Sequence, residues 1–174
     1  MSLKIKTLPL VAALMMILQG CGVYSLSGVA NTAKTVSIEQ FFNNTDLGPA
    51  NLGQLFTNRL KDYYQQNTSM KIIAENAELH LEGTISQYSI SPIAPVATGD
   101  PKAINTAALS RLTISVKLTY EDANEPRNSF KDKQFSFYRD FDNNLTLTSI
   151  QEDLQNKIFD QILIDIFNAT VANW

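Results

Sequence analysis

Hydrophobic and polar residues alternate most regularly between positions 111 and 120. Leu112, Ile114, Val116, Leu118 and Tyr120 take every second place, and Arg111, Thr113, Ser115, Lys117 and Thr119 stand between them. A period of two puts each set on its own face of a strand, so one face is predicted to be core and the other to meet water or a partner. Upstream, Thr35-Val36-Ser37-Ile38-Glu39 alternates over a shorter stretch and is predicted as a first strand. Leu79, Leu81 and Ile85 share one parity, whereas Tyr88 and Ile90 share the other, with Gly83 between Leu81 and Ile85. A long strand carrying a bulge accounts for the switch. After the turn-forming Asn124-Glu125-Pro126, Phe130, Phe135 and Phe137 mark a further strand that Asp142-Asn143-Asn144 ends. It pairs with the 112–120 strand as a hairpin or meander.

Two other segments follow the helical period. Beyond the turn at Asn43-Asn44-Thr45-Asp46, Leu52, Leu55, Phe56, Leu60, Tyr63 and Tyr64 predict a helix from Pro49 to Gln66, with the proline near its first position. Near the C-terminus Ile150, Leu154, Ile158, Ile162 and Ile166 recur every fourth residue, beside Phe159, Leu163 and Phe167. A capping box, Thr148 to Gln151 or Ser149 to Glu152, is expected to open this helix. Its polar face is acidic or amide-rich, not lysine-rich, which favours packing across a sheet over lying on a membrane surface.

The order β-α-β-β-β-α predicts an α+β fold: a two-layer sandwich with a four-stranded, mostly antiparallel sheet and both helices on one face. The row Arg111, Thr113, Ser115, Lys117 and Thr119 is then left open on the other face. Between the second and third strands lies Ser91 to Ala107, with Pro92, Pro95, Gly99 and Pro101 and no clear period. Loops of this length are uncommon in small domains and are either binding loops or disordered excursions. Its apolar members Ile93, Val96 and Ile104 are the candidate contacts to a partner.

The first twenty residues change the picture. Lys4 and Lys6 precede an apolar run from Leu8 to Leu18 that is broken only by Pro9. This is the layout of a secretory signal, and the run is about half the ~20 apolar residues that a membrane-spanning helix needs. Leu18-Gln19-Gly20-Cys21 follows, resembling the lipobox of a bacterial lipoprotein. Cys21 is the single cysteine, so no internal disulfide can form; it is expected to carry a diacylglycerol and an N-acyl chain, against the alternative of a free thiol behind an ordinary signal peptide. The expected organisation is a signal peptide over 1–20, a lipidated tether over 21–33 and a single domain over 34–174.

Losing Lys4 and Lys6 moves the formal net charge from −3 to −5. A mildly acidic exported domain lacks the basic footprint of a nucleic-acid binder, so no nucleic-acid partner is expected. Catalysis finds little support. The single histidine, His80, stands between Leu79 and Leu81 and points away from the core by alternation. Histidine-dependent nucleophilic hydrolysis, the usual zinc-ligand sets, a Gly-rich phosphate loop and an EF-hand all lack their residues. No catalytic residue, no metal and no cofactor other than the covalent lipid is expected.

These residues resemble the lipopolysaccharide-assembly lipoprotein LptE, in the form found in Bacteroidetes-type bacteria. The likeness runs through Cys21-Gly22-Val23-Tyr24-Ser25-Leu26-Ser27-Gly28, Thr35 to Glu39 with Phe41-Phe42-Asn43-Asn44, and Leu79 to Tyr88. It continues through Arg111-Leu112-Thr113-Ile114, Phe135-Ser136-Phe137-Tyr138 and a last helix ending Ile166-Phe167-Asn168 with Trp174. The resemblance implies a non-enzymatic lipoprotein of the outer membrane, facing the periplasm, that plugs an LptD-type β-barrel and assists insertion of lipopolysaccharide into the outer leaflet. From the residues themselves, Arg111 and Lys117 on the open face either dock an anionic glycolipid or a barrel wall, or are solvated charges. A general lipoprotein adaptor of the pilotin kind, and a hydrolase built on His80, stand as competing functions.

Overall fold

Strands form where the alternation predicts them, and two short additions complete a six-stranded sheet. The structure, a computed structural model, describes residues 32–93 and 109–172. The signal peptide, Cys21, most of the tether, Val96, Ile104 and Trp174 lie outside the described residues. In chain order the elements are β1 (Thr35–Ile38), β2 (Phe42–Asn43), α1 (Leu52–Asn67), β3 (Lys71–Ile72), β4 (Leu79–Ile93), β5 (Leu109–Asp122), a 3₁₀ turn (Pro126–Asn128), β6 (Phe130–Asp142) and α2 (Leu147–Thr170). The sheet runs β3-β1-β4-β5-β6, with β2 also paired to β4.

The class is α+β, as expected, but the sheet has two more strands than predicted and is mixed. β1 lies parallel to both β3 and β4, and β2 is parallel to β4, whereas β4, β5 and β6 form an antiparallel meander. β2 and β3 are two residues each, too short to leave an alternation. The bulge in β4 falls between Ile85 and Gln87, where the parity of the apolar residues changes. A second irregularity, between Leu118 and Tyr120 opposite β6, coincides with Asp132 at φ 51° and returns Phe130 to the face that carries Phe135.

Both helices begin elsewhere than predicted. α1 starts at Leu52, and Pro49 belongs to the turn before it, its carbonyl accepting from the Leu52 amide at 3.0 Å. Gly48, at φ +94° and with an added Cβ only 3.0 Å from the Tyr88 ring, shapes that turn. α2 starts at Leu147 after Thr146, and no side chain caps it. The expected capping box does not form because the helix has already begun before Thr148 and Ser149; the Ser149 hydroxyl instead donates back to the Thr146 carbonyl at 2.6 Å.

The core lies between the helices and one face of the sheet. Leu112, Ile114, Val116, Leu118 and Tyr120 are all fully buried, together with Leu79, Leu81, Ile85, Ile158, Phe159, Ile162 and Ile166. Phe41, Phe56 and Phe159 stack edge-to-face with centroids 5.1 Å apart at each step, linking the segment after β1 to α1 and α1 to α2. Gly83 has no room for a side chain, since an added Cβ would overlap the Lys117 carbonyl and lie 2.6 Å from the Phe41 ring. Polar groups in this layer are matched: the Gln155 amide donates to the Tyr88 hydroxyl at 3.1 Å, and the Tyr120 hydroxyl donates to the Thr170 carbonyl at 3.1 Å. Burial pushes the Tyr64 phenol far above its ordinary range, despite its hydrogen bond with Thr170.

Phe159→Ala removes the ring through which α2 meets α1. Urea unfolding is expected to register a loss of about 3–5 kcal/mol; a loss under about 1 kcal/mol would show that the aromatic row does not hold the layers together.

Candidate functional site

α1 packs against β1, β2 and β3, and α2 against β5 and β6. Their apolar faces join the inward sheet residues in one core cluster. Outward residues therefore belong to a face without a helix over it among the described residues. In register across that face lie Ser89, Thr113 and Tyr138; Gln87, Ser115 and Ser136; and Thr84, Lys117 and Gln134.

The predicted row of β5 is present, but its members differ. Arg111 forms a two-pronged ion pair with Asp140, directly opposite on β6, at 2.7 Å from Nε to Oδ1 and 3.0 Å from Nη2 to Oδ2. Its guanidinium carbon also lies 3.6 Å over the Tyr138 ring. The hydrogen bond from Arg111 holds the Asp140 carboxyl below its ordinary range, and the same bond raises the guanidinium. Arg111 is thus paired within the chain, whereas Lys117 has no such partner directly opposite it, since Gln134 and Thr84 stand across from it.

Ser115 is fully buried, contrary to its expected place in an open row. It is the small residue on the middle strand, and Gln87 and Ser136 close over it from either side; its Oγ donates to Gln87 Oε1 at 3.0 Å and lies 2.9 Å from Ser136 Oγ. Thr113 and Thr119 are half-buried, and the Thr119 hydroxyl accepts from the Asp132 amide at 3.3 Å. Lys117 is exposed and lines a shallow depression with Glu39, Phe42, Glu82, Thr84, Thr119 and Asp132. Three carboxylates thus offset that lysine, and the face is polar without being basic.

The two ends of the sheet differ. β1 begins alongside the start of β4, with Val36 opposite Leu79, so the chain enters the domain at that end. β4 ends and β5 begins at the other end, where Ile93 pairs with Leu109. At about 3.3 Å per residue, the fifteen residues of β4 separate the ends by about 50 Å. Ile93 is half-buried, so of the three predicted loop contacts the one described is the last residue of a strand. Around it Ile90, Leu109 and Leu145 are exposed by 40%, 38% and 50%, which puts three solvent-facing apolar side chains at this end. No helix among the described residues is long and apolar enough to cross a membrane.

His80 points outward as predicted, but it is not isolated. His80 and Glu82 project from β4 beside Glu39, which follows β1, and their ligand atoms all lie within 4.8 Å of one another. His80-Leu81-Glu82 is legible in the sequence as two outward residues. Glu39 is not, because only the parallel pairing of Ile38 with Leu81 brings it there.

A family model described as LptE, Lipopolysaccharide-assembly, matches residues 33–170. No curated protein matches the chain. Among solved structures, the chain is similar to a minor lipoprotein from Acinetobacter baumannii, with 16% identity, a TM-score of 0.50 and coverage of 81% of this chain and 94% of that one. It is also similar to a hypothetical protein from Chlamydia trachomatis, with 11% identity, a TM-score of 0.51 and coverage of 81% and 99%. At these identities the likeness is one of fold.

The Arg111–Asp140 pair makes a pH-dependent contribution of known sign. A carboxyl held lower in the folded chain than in the unfolded one adds stability above its unfolded value, which is lost as pH falls through the folded one. Asp140→Asn is therefore expected to lower the urea midpoint slightly at pH 7, with the gap to the parent chain narrowing as the pH falls toward 2. A gap that persists unchanged at pH 2 would remove the ion pair as its cause.

Proposed function

The chain belongs to the LptE family of lipopolysaccharide-assembly proteins, and on that premise we propose that it is a lipid-anchored plug for an LptD-type outer-membrane β-barrel. In this reading the lipid on Cys21 holds it at the periplasmic side of the outer membrane, and barrel and plug together insert lipopolysaccharide into the outer leaflet. The family is non-enzymatic, so the chemistry sought is that of a surface. The observation that carries the reading is the sheet with one covered face.

A closed barrel has no free strand edge, so a plug inside it docks through side chains and not by extending a sheet. The lumen of a transmembrane barrel is polar, because lipid-facing and lumen-facing residues alternate along every strand. A face of threonines, serines, amides, a lysine and a tyrosine, with Arg111 neutralised by its own neighbour, suits such a wall. An apolar face would suit lipid instead.

The ends of the domain support the same placement. Lys34 leads into β1 at one end, and β4 ends and β5 begins at the other, about 50 Å away. A bilayer with its headgroups is about 40–45 Å thick. A plug tethered at one membrane surface therefore reaches the level of the other, bringing the end with the exposed Ile90, Leu109 and Leu145 to the side where lipopolysaccharide is delivered.

Two measurements test the proposal. Cys21→Ala is expected to release the protein from the membrane fraction, and mature-sized mutant that stays there would count against lipid anchoring. Lys117→Glu combined with Tyr138→Ala alters two solvent-facing residues and is expected to cut barrel co-purification from detergent-solubilised membranes at least tenfold, since two interface contacts at about 1 kcal/mol each exceed the ~1.4 kcal/mol that corresponds to a factor of ten. Full capture by a folded double variant would reject the open face as the docking surface.

A further inference from the structure

Glu39, His80 and Glu82 come together where β1 pairs with β4, and neither residue of the docking test, Lys117 or Tyr138, belongs to the group. We infer that it is a binding site for a divalent cation of the zinc class. His80 and Glu82 stand two residues apart on β4 and so project from the same face, while Glu39 is fixed beside them by its amide, which donates to the Leu81 carbonyl at 2.9 Å. The backbone thus positions all three ligands, two on one strand and one at the end of its parallel neighbour.

The distances suit an ion better than a hydrogen bond. His80 Nε2 lies 3.6 Å from Glu39 Oε1, beyond the range of about 2.7–3.2 Å for a hydrogen bond. With metal–ligand bonds of about 2.0–2.1 Å, the ligand atoms at two corners of a tetrahedron are about 3.4 Å apart. A Glu82 oxygen within 4.8 Å of both reaches the third corner through a rotamer change of an exposed side chain. The fourth corner faces solvent, because the site lies on the uncovered side of the sheet.

The donor set selects the class of ion. One imidazole nitrogen with two carboxylates matches zinc and its neighbours in the transition series, whereas magnesium and calcium take oxygen ligands in larger number. The surrounding charge favours a cation: Glu121 stands opposite His80 in register, and Asp132 lines the adjoining depression, against Lys117 as the positive charge there. A bound ion ties the segment after β1 to β4, and β1 and β4 meet through just three residue pairs. An ion held by the folded chain alone therefore raises its stability.

The test uses the untagged full-length lipoprotein in detergent, stripped with chelator and titrated calorimetrically with zinc chloride. One saturable site per chain is expected, not displaced by a hundredfold excess of magnesium, together with a zinc-dependent rise in the thermal midpoint. His80→Gln and Glu82→Gln, both at the surface, are each expected to weaken zinc binding at least tenfold while leaving the zinc-free midpoint within about a degree of the parent. Absence of saturable binding, equal displacement by magnesium, or full affinity in both variants would overturn the assignment. Barrel capture without zinc reads the docking surface separately, so the two proposals fail independently.

Discussion

A sheet this long has two faces, and the chain supplies helices for only one of them. The residues that meet α1 and α2 must be apolar, and those behind them must hold their polar groups in water or satisfy one another. Nearly every other feature follows from that division. Leu112, Ile114, Val116, Leu118 and Tyr120 vanish into the core, while the residues between them remain polar on the other side. The interior has no buried side-chain polar atom without a partner among the described residues, because the few polar groups that enter it, such as Gln155, Tyr88, Tyr120 and Thr170, bond to one another or to the backbone.

The open face is shaped by its own neighbours as much as by solvent. Asp140 claims Arg111, and Tyr138 lies beneath the guanidinium, so a charge that looks available along the chain is spoken for across strands. Ser115 is covered by Gln87 and Ser136 because a small side chain on a middle strand lies below the level of its longer neighbours. What remains for a partner is a polar surface with balanced charges, which docks by shape and hydrogen bonding.

Strand direction decides how the domain presents itself. β1 runs parallel to β4, so the start of β1 and the end of β4 are at opposite ends of the sheet. Had β1 been antiparallel, both would share an end, and the domain could not span from an anchor at one surface to a contact at another. The same parallel pair sets Glu39 beside His80 and Glu82, so the reach of the domain and its cluster of ligand atoms have one structural origin.

The α+β class, the long strands, both helices and the bulge near Ser86 could be read directly from residues 79–167, because each depends on local periods that the side chains carry themselves. The helix starts could not: Pro49 and Ser149 fit cap positions, but packing of the first turns against the sheet chose Leu52 and Leu147. β2 and β3 were hidden because two residues show no period. The sequence alone thus determined which faces are apolar, and that no catalytic set of the familiar kinds was at hand. The tertiary structure alone decided that Arg111 is paired, that Ser115 is covered, and that Glu39 meets His80 and Glu82. Each of those depends on which strands lie side by side and in what register, and pairing between residues far apart in the chain is settled by the packing of the whole sheet.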